Sequence, residues 1–302
     1  MQKSPLYAWV LLFILAFIWG SSFILIKKGL IGLTPQEVGS LRILAASLFL
    51  LPSGLKRFKT IDKSKILFFV SVGLLGSLVP AFLFAIAQTQ LESAITGVLN
   101  GLVPIFTILI ALLVFKQKQI KAVYIGVIIG FLGMAILITA GEGNTLNGIN
   151  AYGLLVVLAT IFYASNLNLI KQKLNHVHAV TVTSVSLLLV GPLAAVYLFG
   201  FTDFWPKLMN VEGTGIATFY ICLLGVLGTA IALIIFNKVL QMKDALFASS
   251  VTYIIPIFAV MWGVLDGEKL YLMHYVGMIA VGIGVYIANT NRAAHRKAGK
   301  TK

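Results

Sequence analysis

Val103-Pro104-Ile105-Phe106 returns as Ile255-Pro256-Ile257-Phe258, 152 residues further along the chain. The same offset carries Gly73 and Gly76 onto Gly225 and Gly228. An offset of 151 carries Gly126 and Gly133 onto Gly277 and Gly284. Nearer the start, Leu15-Ala16 to Lys28 matches Leu158-Ala159 to Lys171 at an offset of 143, with Ser22 on Ser165 and Trp19 on Phe162. These matches keep their order. They divide the chain into a first repeat, 1–141, a second repeat, 142–290, and a basic tail, 291–302.

Each repeat holds five apolar segments. In the first they are Leu6–Ile26, Pro35–Leu51, Ile66–Ala87, Ile95–Phe115 and Ile120–Ala140; in the second, Tyr152–Ile170, Val180–Phe201, Gly213–Phe236, Leu246–Leu265 and Tyr271–Ala288. A bilayer crossing takes about 20 apolar residues. Ten crossings therefore consume most of a 302-residue chain. Composition agrees: 59% of residues are hydrophobic and 11% charged, with mean hydropathy +1.00. A soluble domain carries about 25% charged residues. Soluble enzymes, disordered chains and disulfide scaffolds are excluded, and the single cysteine, Cys222, has no intramolecular partner. The first segment is too long for a signal peptide and lacks a small-residue cleavage site, so it reads as a retained helix. Because five is odd, the second repeat enters the membrane from the opposite side. The expected fold is an all-α integral membrane protein of ten transmembrane helices in two inverted five-helix repeats, an arrangement common in secondary transporters.

The net charge of +14 belongs to topology. With a cytoplasmic N-terminus and ten alternating spans, 18 of the 23 basic residues fall in cytoplasmic segments. Only Lys27, Lys28, Lys207 and Lys269 fall outside, and Arg42 lies within a span. This asymmetry places both termini in the cytoplasm. It also removes nucleic acid as a partner and leaves the bilayer and a small solute. Two helix starts are marked. Thr34-Pro35-Gln36-Glu37 joins an N-cap, a first-turn proline and a capping-box glutamate. Asp244 is placed to cap the ninth span.

The motifs also resemble a known family. Trp19-Gly20-Ser21-Ser22-Phe23, followed by Lys27, looks like the tryptophan-glycine motif of the EamA family, within the drug/metabolite transporter superfamily. Leu41-Arg42-Ile43-Leu44-Ala45-Ala46 resembles its second-helix arginine motif, the two proline motifs resemble those of helices four and nine, and Gly267-Glu268 resembles the pair that ends helix nine. The resemblance covers nearly the whole chain. One departure stands out: Phe115-Lys116 occupies the place of a glycine-glutamate pair in the first repeat. The resemblance implies two pseudo-symmetric halves around a cavity lined mainly by helices one, three, four, six, eight and nine. It also implies export of amino acids or other small metabolites across the bacterial inner membrane. The expected assembly, apart from the resemblance, is a monomer or a homodimer.

Polar residues inside the spans set the expected chemistry. No Asp or Glu falls near the middle of a span; Glu37, Glu92, Asp244, Asp266 and Glu268 all sit at helix ends. That disfavours a cation-drug antiporter and weakens direct proton coupling. No Lys or Arg cluster lines a span, which disfavours phosphate-bearing solutes. Arg42 is the exception. It reads as a gate or carboxylate contact, or as a structural partner of helix-end carbonyls or of Glu268. Asn100 and Pro104 share a face of span four, and Thr252, Tyr253 and Pro256 hold the corresponding place in span nine. Each proline would free a carbonyl one turn earlier, on Asn100 and on Thr252. Phe162, Tyr163 and Asn166 in span six, with Trp19 and Ser22 in span one, would form an aromatic-amide wall for an amphipathic solute. Phe236 and Asn237 would close the inner end of span eight. The plain alternative for all of these is helix packing. Glycines at Gly126, Gly130, Gly133, Gly277 and Gly284 read as helix-packing or dimer faces. No catalytic constellation, metal site or cofactor motif is found, and an enzyme is not expected. The reading is an alternating-access exporter or facilitator for a small neutral or zwitterionic metabolite, most naturally an amino acid. A multidrug exporter and a non-transporting structural protein are the alternatives.

Overall fold

The computed structural model describes residues 5–114, 116, 121–140, 150–174, 176–242 and 251–298. The order is α1 (Pro5–Gly29), α2 (Pro35–Phe58), α3 (Ile66–Gly73), α4 (Val79–Ala87), α5 (Ser93–Asn100), α6 (Val103–Leu113) and α7 (Lys121–Thr139). It continues with α8 (Ala151–Lys173), α9 (Ala179–Gly200), α10 (Phe204–Asn210), α11 (Thr214–Leu223), α12 (Ala232–Met242), α13 (Val251–Leu265) and α14 (Leu272–Ala298). Eight helical stretches are long and apolar enough to cross a membrane: those beginning at Tyr7, Pro35, Lys63, Ser93, Lys121, Ala151, Ala179 and Thr214. Two shorter apolar helices, Ile254–Leu265 and Leu272–Ala288, complete the bundle among the described residues.

The start of α2 follows its local sequence. Thr34 Oγ1 accepts from the Glu37 amide at 3.3 Å, and Glu37 Oε2 accepts from the Thr34 amide at 2.7 Å. Pro35 opens the first turn, where no amide is required. Asp244 lies outside the described residues.

Two spans contain a π-helical turn. A π-helical turn, Leu74–Leu78, joins α3 to α4, and a longer one, Leu224–Ile231, joins α11 to α12. Apolar periodicity does not reveal such turns, because the whole segment is hydrophobic. A π turn inserts a residue and re-aims the side chains beyond it. Each turn contains a glycine, Gly76 or Gly228, on which a side chain from the other half lies.

Small residues let the helices approach. A Cβ on Gly20 would run into Phe258 Cβ and lie 2.9 Å from the Ile255 carbonyl, so α1 and α13 touch at backbone distance. Gly97 of α5 makes the same kind of contact with Ala259, beside Phe23. Ser47 Oγ of α2 donates to the Leu187 carbonyl of α9 at 3.0 Å. Helices α7 and α14 meet through Gly126, Gly130, Gly133, Gly277 and Gly284. These glycines therefore serve packing within the chain. Large apolar side chains such as Phe13, Leu67, Leu132, Phe199 and Ile279 point outward, as a lipid-facing rim requires.

Candidate functional site

Arg42 lies eight residues past the N-cap Thr34, about 12 Å along α2. Its Nε donates to Thr229 Oγ1 at 3.0 Å. The Tyr163 hydroxyl of α8 also faces the guanidinium. Thr229 belongs to the second π-helical turn, and the carbonyl of its neighbour Gly228 accepts Trp19 Nε1 at 3.0 Å. Ser22 packs under the same glycine, where a Cβ would come within 2.9 Å of its Oγ. The π turn thus presents a backbone carbonyl and a hydroxyl side by side, one to α1 and one to α2.

Aromatic rings enclose this polar centre. Trp19 meets Phe236 at 5.4 Å between ring centroids. Tyr163 stacks on Phe84 at 5.9 Å, and Phe84 in turn meets Phe23 edge-on. Asn166, almost one turn past Tyr163 on α8, lies against Gly76 of the first π turn. Its Oδ1 is buried without a hydrogen-bond partner. Asn100 Oδ1, at the end of α5, is likewise buried and unsatisfied.

The structure brings Trp19, Ser22, Arg42, Tyr163 and Phe236 into one cluster with Asn166 beside it. Phe162 is half-buried on α8. The proline pair is not symmetric. Pro104 does not interrupt a helix: α5 stops at Asn100, a tight turn passes through Gly101 and Leu102, and Pro104 sits in the first turn of α6. Pro256 lies inside α13, where its ring faces Gly101 at that break. Thr252 is half-buried on α13; the side chains of Tyr253 and Asn237 lie outside the described residues. A groove of about 400 Å³ runs along α1, α11 and α13 past Ser21, Tyr220 and Trp262 and reaches Gly228 at the edge of the cluster. Another, of about 330 Å³, opens near Trp9 and Ile254. Trp19, Arg42, Tyr163 and Phe236 are each half-buried.

Glu268 has a different partner from the one the sequence offered. It does not reach Arg42. Its side chain is fully buried at the end of the bundle where α1 stops. Oε1 accepts from Lys27 Nζ at 2.9 Å, the Ser93 amide at 2.9 Å and Ser93 Oγ at 2.6 Å; Oε2 accepts from the Ala94 amide at 2.9 Å. The carboxylate caps α5 and ties it to α1 and to the loop after α13. Lys27 also reaches Asp266 at 3.0 Å and Glu92 at 3.5 Å, and Lys28 pairs with Asp266. On the same end, Glu37 binds Lys207 of α10 at 3.0 Å. Ser93, Ala94, Lys27, Thr229, Gly228, Gly76 and Phe84 were not singled out from sequence as site residues. The paired glycines left a signal through the 152-residue repeat, and Lys27 one through its place after the tryptophan-glycine motif.

Environment moves these carboxyls in opposite directions. Burial pushes Glu268 up, but hydrogen bonds from Ser93, Ala94 and Lys27 outweigh it, and its pKa lies below the ordinary value. The Lys28 hydrogen bond holds Asp266 low. Glu92 is raised, by burial and then by the charge of Glu268. A lowered pKa stabilises the fold above the ordinary carboxyl range and loses that contribution as pH falls through the lowered value. A raised pKa has the opposite sign. Acidification from about pH 8 to about pH 3 should first raise the melting temperature slightly, as Glu92 protonates, and then lower it as Glu268 and Asp266 do. A melting series in detergent checks this. Glu92→Gln removes the initial rise; a monotonic fall in the wild type would contradict the assignment.

A bundle of membrane-length helices around a polar, aromatic-walled centre is the architecture of a multi-pass transporter. The chain belongs to the EamA-like transporter family, whose model matches residues 6–139 and 151–290. It is 25% identical over 288 residues to an uncharacterized transporter of Archaeoglobus fulgidus, covering 94% of this chain and 99% of that one. It is 27% identical over 295 residues to the uncharacterized inner membrane transporter YedA of Escherichia coli, covering 94% and 90%. Among solved structures, a crystal structure of a protein shares the fold, with TM-score 0.65 and 16% identity over 97% of this chain and 99% of the other.

Proposed function

We propose that this membrane transporter is a secondary exporter or facilitator of small neutral or zwitterionic metabolites, amino acids foremost, working by alternating access of two inverted five-helix halves. The carrying observation is the polar cluster itself. Trp19, Arg42, Tyr163 and Thr229 come from four different spans of both halves and meet only because those spans pack together.

The packing pattern supports the inverted repeat. Helix α1 lies on α13 and α8 lies on α6; α2 meets the second π turn and α3 meets α9. Exchanging the halves turns each of these contacts into its partner. Two such halves have similar energies in mirror arrangements, which is what alternation between two access states needs. In this reading both termini are cytoplasmic, and the Glu268 end faces outward and is held closed by its ion pairs. The positive charge of Arg42 disfavours lipophilic cations as cargo.

Counterflow into proteoliposomes, with labelled amino acids and nucleosides, tests the reading with and without a pH gradient. Saturable exchange of an amino acid is expected. Absence of exchange across the panel by folded protein overturns it.

A further inference from the structure

Every interhelical lysine bond at the Glu268 end is made to a carboxylate. Arg42 is treated differently. It sits mid-span, where an uncompensated charge is costly and marks a functional position. Yet, among the described residues, it hydrogen-bonds the neutral hydroxyl of Thr229, and the phenol of Tyr163 faces it. The chain has nine acidic residues. Seven lie among the described residues, and none of these pairs with Arg42. The remaining two, Glu142 and Asp244, fall between the apolar segments of the sequence. A guanidinium carries five donors in a planar fork. Here Nε is engaged, and the terminal amino groups have no anion among the described residues. Almost one turn along α8 from Tyr163, Asn166 offers the complementary feature, a buried acceptor with no donor.

We propose that Arg42, flanked by Tyr163 and Thr229, is the carboxylate subsite of the transporter, and that Asn166 Oδ1 accepts from a donor elsewhere on the same solute. This rests on the transport reading and narrows it: the cargo class is small organic acids bearing a hydrogen-bond donor, zwitterionic amino acids included. A carboxylate matches the guanidinium fork and neutralises it. Trp19, Phe84 and Phe236 give the solute's apolar part a wall and keep the ion pair dry, which strengthens it.

Equilibrium binding separates this from transport. Full-length protein in detergent is titrated with three acid/amide pairs: isovalerate and isovaleramide, hydrocinnamate and hydrocinnamamide, L-phenylalanine and L-phenylalaninamide. Thermal stabilisation and tryptophan fluorescence are the readouts. Each acid that binds should bind about tenfold or more tightly than its amide, as for a site built around one charged hydrogen-bond partner. Arg42→Gln should erase that preference, and Arg42→Lys should keep part of it. Equal binding of acid and amide by the wild type overturns the subsite, whatever the variants do. So does a preference that survives Arg42→Gln, or no binding by any acid. Acid preference without flux in the counterflow assay would leave the subsite standing and remove the transport reading.

Discussion

Glu268→Ala should destabilise the protein by about 3 kcal/mol and open one end of the bundle. The side chain is fully buried and accepts four hydrogen bonds, one from an ammonium. Removing a buried partner leaves the others desolvated and unsatisfied, and each orphaned donor costs about 1–3 kcal/mol. The loss stays below the sum because Lys27 is about one-third exposed and retains Asp266 and Glu92. Glu268→Gln should cost less, since an amide oxygen in the Oε1 place still accepts from Lys27 and Ser93, and only the Ala94 amide loses its acceptor. Lys27→Met should rank between them, because it spares the cap on α5. A gating consequence follows if this end is the outer gate of an alternating-access cycle. In a Cys222→Ala background, Ala94→Cys is buried beneath the cluster. It should react with an impermeant maleimide several-fold faster when Glu268→Ala is added. Unchanged melting and unchanged labelling would mean that the cluster is ornamental.

That cluster also shows where the sequence was and was not readable. The capping box at Thr34 and Glu37 was legible because its partners are three residues apart and its geometry is local. Glu268 was legible as a helix-end acid, but its ammonium comes from 241 residues earlier and two of its donors are backbone amides. Backbone groups leave no mark in a sequence. The same is true of Trp19, whose acceptor is the Gly228 carbonyl. Arg42 stood out as the one charge inside an apolar span, yet the structural partners the sequence offered it were helix-end carbonyls or Glu268, and the fold gave it a threonine. The π turns were invisible for a related reason: they lie in runs that are hydrophobic on every side, so a slipped hydrogen-bond register changes no pattern. Their glycines were visible as repeat markers only. What could not be seen was that each accepts a polar side chain from the opposite half, Asn166 on Gly76 and Ser22 on Gly228.

Two glycines in one helix should give opposite results. On α14, Gly284→Leu should lower stability by about 3 kcal/mol or more, above the usual overpacking range of about 1–3 kcal/mol, and reduce the folded yield. Gly282→Leu should be nearly neutral. A Cβ on Gly284 would run into the Gly130 amide nitrogen and lie 2.7 Å from the Gly126 carbonyl and from Gly130 Cα. These are backbone atoms of α7, so no rotamer change relieves the clash, and the helices must separate. Separation then undoes the neighbouring contacts of Gly133 with Val281 and Ala280, and of Gly277 with Leu137. In a bilayer, helix association rests on such close packing, since lipid chains are as apolar as leucine. Gly282 points the other way, with no atom within 4 Å. A leucine there meets the membrane's hydrocarbon and gains helix propensity. Melting temperatures of the two variants decide the matter. If Gly282→Leu proves as damaging as Gly284→Leu, that face of α14 is covered by something other than lipid, and a second copy of the chain becomes the first partner to test by crosslinking.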